Sequence, residues 1–521
     1  MPADSLRIAY LAYRGNPHSG GQGVYTRHLT RELVNLGHSV TVFGAQPWPV
    51  LDAGVEWVPV PSLDLYREPD PFRVPKPTEF RSLVDLGEFG LMCTAGFPEP
   101  WSFSIRARRV LRQMQGRFDL VHDNQCLGTG LLGMLDDGWP VLATLHHPIT
   151  VDRDLELADN ASIVRRLTLR RWYGFLRMQA RVAARIPRIV TVSESSARDI
   201  TAQMGVPASQ IHCVPVGVDQ TLYRPLAEVP RQPDLLVTTA SSDVPLKGLV
   251  PLLEALAKVR TERPAELIVI GRMKQGSKIP AALERLGLTG AVRFVSGISD
   301  DEVVRLYNEA SVAVVPSLYE GFSLPAIEAM ACGTPLVATT GGALPEVVGT
   351  DGTTGLLVAP GDPAALADAL LRMLDDAGLR ARLGAAGRER VLRRFTWQAT
   401  ARGTAEQYRE LLATGAAASQ RAPAARRPRR DGAGVTERLR GHGPWGPGGP
   451  WPPTSWRPAW PVATSGATSA GRGRGGRRAD VAGTGPGAAA VGQVAPGAAA
   501  VGQVAPGVVA PRTGRVATRR C

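Results

Sequence analysis

Two series of short β-branched runs, each threaded with longer helical patterns, constrain the fold of this chain more than any other feature. The first series is RIAYLAY (7–13), SVTVFGA (39–45), FDLVHDN (118–124), PVLATLHH (140–147) and RIVTVSES (188–195). The second is LLVTTAS (235–241), AELIVIG (265–271), VRFVSG (292–297), SVAVVPS (311–317) and PLVATTG (335–341). Runs of that length alternating with helices build parallel sheets covered on both faces. Between the series lies YRPLAEVPRQPD, where Pro225, Pro230 and Pro233 break both kinds of element. The expectation is α/β, with two Rossmann-like parallel-sheet domains facing a cleft. They span 5–220 and 234–397, joined by a linker at 221–233. In the first, Leu29, Leu33 and Leu36 fall on one face of a helical pattern. In the second, Ser299 stands three residues before Glu302, a capping-box start.

A length of 521 residues allows two or three domains with sizeable cores. The net charge of +13 invites a nucleic-acid reading, but its distribution does not support one. Residues 415–521 hold 16 Arg, no Lys and 3 acidic residues, so the excess lies in this tail and 1–414 is formally neutral. The tail is rich in Gly, Pro, Ala and Arg and repeats GAAAVGQVAP in tandem at 487–496 and 497–506. Such a segment buries too little apolar surface to offset its ordering entropy, and it reads as disordered. Its arginines and its tryptophans Trp445, Trp451, Trp456 and Trp460 superficially suit nucleic acid, but an unstructured appendage is the preferred reading. The five cysteines are scattered, without metal-ligand spacing, which suggests a reducing compartment. The opening MPADSLRIAYLAYRG lacks a signal-peptide core, and no run reaches a spanning length, so a cytoplasmic location is expected.

Ligands of open parallel sheets sit beyond the carboxyl ends of strands, and the loops there hold the candidate chemistry. EGFSLPAIEAMACGTPLVATTGG (320–342) follows the run SVAVVPS. A helix starts near Leu324, with Ser323 as N-cap and Pro325 in the first turn. The free N–H groups of such a start suit a phosphate. Glu328 can then accept from a ribose diol and Glu320 from a sugar. Equally, Glu328 complements the helix dipole while Phe322 and Leu324 pack. SGGQGVYTRHL (19–29) opens a helix after the first strand, where Gly21 and Gly23 let amides approach an anion. Thr26 holds the third glycine position, so this is not a dinucleotide fingerprint, and a plain turn remains the alternative. Lys247, in SSDVPLKGL, either neutralises a diphosphate leaving group or is a solvated charge. His146 and His147 close a strand of the first domain, to bond a sugar hydroxyl or to serve the core. Asp152-Arg-Asp154 matches a metal–nucleotide motif of three residues, and a metal-free site centred on Lys247 is the better account.

Together these pieces resemble the retaining family 4 glycosyltransferases of the GT-B fold, over about residues 5–414. The match is strongest in PSLYEGFSLPAIEAMACGTPLVATTGGALPEVV and in GTTGLLVAPGDPAALADAL (352–370), with support from GGQGVYTRHL and TLH (144–146). The resemblance implies a nucleotide-sugar donor, first guess a uridine diphosphate hexose, held mainly by the second domain, with no metal and an acceptor on the first. A terminal helix at 398–414 is expected to pack back toward the first domain. Carried across, Glu320 would bind the sugar hydroxyls and Glu328 the ribose. The amides of Phe322, Ser323 and Leu324 would hold the distal phosphate, with Lys247 completing the charge. Gly21 would approach that phosphate from the first domain, and His146 would line the sugar pocket. Retention would follow from front-face attack, the departing phosphate helping to take the acceptor's proton. One departure stands out: the family usually places an Arg five residues before this Lys, and here that position is Ser242. Arg272 is the expected substitute.

A basic stretch at 164–185, with Trp172, Tyr173, Phe175 and Leu176 among its arginines, suggests peripheral contact with an anionic membrane presenting a lipid acceptor. A core-facing helix with a basic rim is the alternative. Hexose transfer to an unidentified acceptor is the leading function. A sugar-nucleotide-binding protein with impaired turnover and an epimerase of the same fold are its rivals.

Overall fold

The apolar runs become strands because both of their faces are covered. In the computed structural model, which describes residues 5–15, 21–67, 70–159, 162–240, 244–273 and 277–421, every residue of the two central strands Leu120–Asn124 and Ala310–Val315 is buried. The first sheet contains β1 (Arg7–Ala12), β2 (Ser39–Gly44), β3 (Glu56–Pro59), β4 (Leu120–Asn124), β5 (Val141–Thr144), β6 (Arg188–Thr191) and β7 (Ile211–Cys213). Its order is β3-β2-β1-β4-β5-β6-β7. The second contains β8 (Gln232–Thr239), β9 (Glu266–Ile270), β10 (Val292–Val295), β11 (Ala310–Val315), β12 (Leu336–Thr339) and β13 (Leu356–Val358), ordered β10-β9-β8-β11-β12-β13. Every pairing is parallel. Strand order reverses between β1 and β4 in one sheet and between β8 and β11 in the other, the two places where such sheets open a crevice for ligand.

Helix Gly21–Asn35 buries Tyr25, Leu29 and Leu33 against the first sheet, each worth about 1.5–3 kcal/mol. Leu36, expected on the same face, lies one residue past the helix end and is exposed. The capping box at Ser299 is present: its hydroxyl accepts from Glu302 N at 3.2 Å, and Glu302 accepts from Ser299 N at 2.7 Å. The last described helix, Trp397–Arg421, follows the second domain in sequence but packs on the first. Trp397 stacks on His28 with centroids 5.0 Å apart. Tyr408 Oη lies 2.6 Å from His122 Nδ1, inside the first sheet. The tail from residue 422 onward, with its arginines and tryptophans, lies outside the described residues.

Of the two readings of the basic stretch, its aromatics follow the core-facing one, with Arg170, Arg171, Arg177 and Arg181 exposed along the rim. Trp172, Tyr173, Phe175 and Leu176 are buried, packed into the first domain's core with Phe97. Their rings have better partners there than a bilayer offers. The exposed apolar side chains are instead Ile163, Val164 and Leu167, on helix Ile163–Trp172.

Candidate active site

The β8–β11 crevice is assembled by a close backbone approach. A short turn, Pro245–Lys247, ends at Gly248 with φ +63°, and a Cβ there would lie 1.9 Å from Pro316 O. Only glycine allows the turn to lean on the end of β11, an approach continued by Leu318 N donating to Leu246 O at 2.7 Å. Lys247 Nζ consequently stands 2.8 Å from Glu320 Oε1, and Ser317 Oγ donates to the same oxygen at 2.7 Å. Both charged side chains are buried. Of the two readings of Lys247, the solvated charge is therefore corrected: its ammonium is buried and paired with Glu320. A charge with so little access to water is costly unless paired, and Glu320 is the partner the fold supplies.

Ser323 occupies the N-cap position of helix Leu324–Ala331, but its hydroxyl does not cap. Its backbone sits at φ +96°, ψ 87°, whereas an N-cap side chain reaches its N–H groups from the extended region. The hydroxyl is buried without a hydrogen-bond partner. A non-glycine residue held in this region costs about 1–3 kcal/mol, strain that concentrates at ligand clamps. The side chains of Phe322 and Leu324 pack, the first edge-on to Phe395 at 5.5 Å. Any part they play toward a phosphate falls to their amides. One turn into the helix, Glu328 accepts from Tyr307 Oη at 3.5 Å, and that hydroxyl also lies 2.9 Å from Thr239 Oγ1 at the end of β8. Burial, reinforced by the charge of Asp300, pushes the Glu328 carboxyl up to about 7. Glu320 and Glu328 thus serve the same end of the same sheet, as their spacing predicts.

The β1–β4 crevice carries Gly21 and His146. Gly21 begins its helix, and among the described residues a Cβ there would meet no atom within 4 Å. Packing against the described residues therefore does not demand glycine at this position. His146 follows β5; its Nε2 lies 2.9 Å from Asn124 Oδ1, and its peptide N donates to Gln125 Oε1 at 2.8 Å. The Tyr25 ring meets its imidazole at 4.6 Å and 86°. Burial pushes His146 down to about 3, so the ring is neutral at physiological pH.

The two crevices face one another across a polar seam that sequence reasoning did not find. Gly321 O accepts from Ser193 Oγ at 2.6 Å and from Ser196 Oγ at 3.1 Å. Glu346 caps helix Glu194–Met204 from the other domain, accepting from Glu194 N at 2.8 Å and Ser195 N at 2.7 Å. Tyr319 Oη donates to Asp199 at 2.5 Å. Gly321 packs so close to His146 and His147 that a Cβ on it would lie 3.1 Å from His147 Cβ. The structure thus brings Lys247, Glu320 and the His146 segment together, with Glu328 further along the helix. Arg272 is exposed just beyond β9, and no contact ties it to Lys247. Ser242 lies outside the described residues. Asp154 of the three-residue acidic motif pairs with Arg153 on helix Thr150–Asp159. Among the described residues, no group of three or more His, Cys, Asp or Glu is placed to hold a metal, and no helix is long and apolar enough to cross a membrane.

Comparison with known proteins agrees with this geometry. The profile "Glycosyltransferase Family 4" matches residues 19–222 and "Glycosyl transferases group 1" matches 227–390. The chain is 51% identical over 413 residues to "MMP alpha-(1->4)-mannosyltransferase" of Mycolicibacterium hassiacum, covering 79% of this chain and 100% of that one. It is 30% identical over 438 residues to a D-inositol 3-phosphate glycosyltransferase of Kribbella flavida, covering 79% of this chain and 96% of that one. Among solved structures, sucrose-phosphate synthase of Thermosynechococcus elongatus superposes with TM-score 0.60 at 25% identity, over 78% of this chain and all of that one. HepE of Anabaena, solved with UDP, superposes with TM-score 0.56 at 19% identity, over 78% and 100%, and shows the shared fold. The protein is a family 4 glycosyltransferase with two Rossmann-like domains in the GT-B arrangement.

Proposed function

We propose that this enzyme transfers a mannosyl residue from a nucleoside-diphosphate sugar to a carbohydrate hydroxyl, forming an α-(1→4) bond with retention. The observation that carries the transfer chemistry is the buried Lys247–Glu320 pair beside the strained start of helix Leu324–Ala331. A diphosphate entering there exchanges with Glu320 for the ammonium, and the uncapped amides beside Ser323 add donors aimed at the same charge. Glu320 is then free to accept from sugar hydroxyls, and Glu328 from the ribose. This reading assigns the leaving-group charge to protein groups without a metal, with Arg272 as an outer cation. The choice of mannose rests on the relative that shares 51% of its residues over its full length. A nucleotide donor is supported by the HepE structures titled as complexes with UDP and with UDP-glucose.

The test is a donor panel: UDP- and GDP-linked glucose and mannose, each with and without a mannoside acceptor. Nucleoside diphosphate release and the anomeric configuration of the product are the readouts. Acceptor-dependent release from a mannosyl donor, with an α product, is expected. Release favouring glucose would overturn the mannosyl assignment, and a β product would overturn retention.

Peripheral membrane contact belongs to the same proposal. It now rests on exposed Ile163, Val164 and Leu167 beside Arg165, Arg166 and Arg170, rather than on the buried aromatics. Flotation of the protein with anionic but not neutral liposomes, lost in Ile163→Ser/Leu167→Ser, is the expected result. Equal flotation of both proteins would remove that element.

A further inference from the structure

We propose that Asn124 is a positioning residue that fixes the tautomer of His146, holding the ring proton on Nε2 and presenting Nδ1 as a bare acceptor to a substrate hydroxyl. The argument is one of donors and acceptors. Asn124 ends β4, beside β1 at the point where strand order reverses. Its side chain is buried between His146 and the first turns of helix Gly21–Asn35. On the helix side, Asn124 Nδ2 lies 3.0 Å from Thr26 Oγ1 and 3.3 Å from Gln22 O. A carbonyl oxygen only accepts, so the group facing Gln22 O must be the amide nitrogen. Thr26 sharpens the point: its own hydroxyl proton goes to Gln22 O at 2.9 Å, which leaves it an acceptor toward Asn124. Flipping the amide would set its one acceptor oxygen against two others, Gln22 O and Thr26 Oγ1. The orientation is therefore determined by the network.

With the nitrogen committed to the helix, Oδ1 faces His146 Nε2 at 2.9 Å. An amide oxygen supplies no proton, so the proton of that hydrogen bond sits on Nε2. The neutral ring then has its lone pair on Nδ1. Tyr25, set edge-on at 86°, fixes the ring's tilt, and Gln125 fixes the backbone beneath it. A lone pair aimed into a sugar site accepts from a hydroxyl and repels an anion, so it selects for the neutral, hydroxyl-bearing part of a substrate. This last step rests on the reading that His146 lines the sugar pocket. The tautomer itself does not.

The experiment is a two-bond proton–nitrogen correlation spectrum of full-length protein carrying ¹⁵N-histidine, with His146→Ala to assign the resonance among the eight histidines. The expected pattern has a protonated Nε2 and an unprotonated Nδ1 for His146. Asn124→Leu should convert that signal to a tautomer mixture and lower kcat about tenfold, the effect of one lost hydrogen bond in a buried site. Asn124→Asp keeps the acceptor toward Nε2 but loses the donor to Gln22 O and Thr26 Oγ1, so it should keep a proton on Nε2 while melting lower. A wild-type spectrum with the proton on Nδ1 overturns the proposal whether or not the variants fold, and so does an unchanged spectrum in Asn124→Leu. If the wild-type pattern is found but His146→Ala transfers sugar at the normal rate, the sugar-pocket reading fails and the tautomer assignment stands.

Discussion

The two crevices make opposite use of charge. At β8–β11 the fold buries an ammonium against a carboxylate, sets a second carboxyl one helical turn away, and strains a serine between them. At β1–β4 it offers a glycine, two side-chain amides and a neutral imidazole. The difference matches the two halves of a glycosyl transfer. A diphosphate leaves with growing negative charge and needs fixed positive groups, whereas the hydroxyls expected at the imidazole and amides are neutral and need only to be held; in that neutral crevice Gly21 is the part expected to face the phosphate.

The largest test of that contrast is Lys247→Met. Loss of the leaving-group cation should lower kcat/KM by about 10²–10³-fold. The same variant strands Glu320 as a buried, unpaired carboxylate, which costs about 3–5 kcal/mol of stability. Lys247→Met/Glu320→Gln should recover most of that stability in a thermal melt while remaining inactive. If the double variant melts as low as the single one, the pair is not what holds these two side chains.

Gly21→Ala comes next and separates ligand space from protein space. Since no atom of the described residues lies within 4 Å of the added methyl, melting should be unchanged or slightly improved. Donor KM should rise about tenfold, because the methyl occupies room needed by the phosphate. An unchanged KM would remove the glycine from the donor site.

Glu328→Gln should push stability and binding in opposite directions. The folded carboxyl titrates near 7, above its usual value of 4.5, so folding favours its neutral form. That contribution is complete below the ordinary value and is lost as pH rises through about 7. The amide has no such loss and should be more stable at pH 8 by on the order of 1 kcal/mol. Nucleoside diphosphate affinity should fall about tenfold with the charge-assisted bonds to the ribose. Equal affinity by calorimetry would return Glu328 to the helix dipole alone. The smallest effect belongs to Arg272→Ala, a rise of about two- to fivefold in donor KM, since exposed cations contribute little. No rise at all would leave the position of Ser242 uncompensated.

The charged crevice was also the legible one. Glu320, Ser323 and Glu328 lie within nine consecutive residues, so spacing alone places them on one strand–turn–helix. What spacing could not reveal was the geometry of Ser323, because the N-cap rule presumes an extended backbone and this one is left-handed. Lys247 was found, but its resting partner was not. That pairing depends on Gly248 meeting Pro316, a contact between distant parts of the sequence. The neutral crevice was legible only at Gly21 and His146. Asn124, Tyr25, Ser193, Ser196 and Glu346 come from four elements, each with an ordinary local role, and only the fold gathers them. Ser193 does signal a helix start in sequence, as its bond to Ser196 N shows, but nothing local foretells Gly321 as its second partner. Among the strands, β3, β7 and β13 were missed: each is an edge strand of three or four residues with none fully buried, too short to leave a clear run.

The carbonyl of Gly321 has a kinetic consequence. The peptide that follows Glu320 hangs from two hydroxyls of the opposite domain, so swinging the domains apart and slackening the catalytic loop are a single event. Ser193→Ala is therefore expected to raise kcat and donor KM together, and unchanged kinetics would show that turnover does not depend on how that one carbonyl is attached.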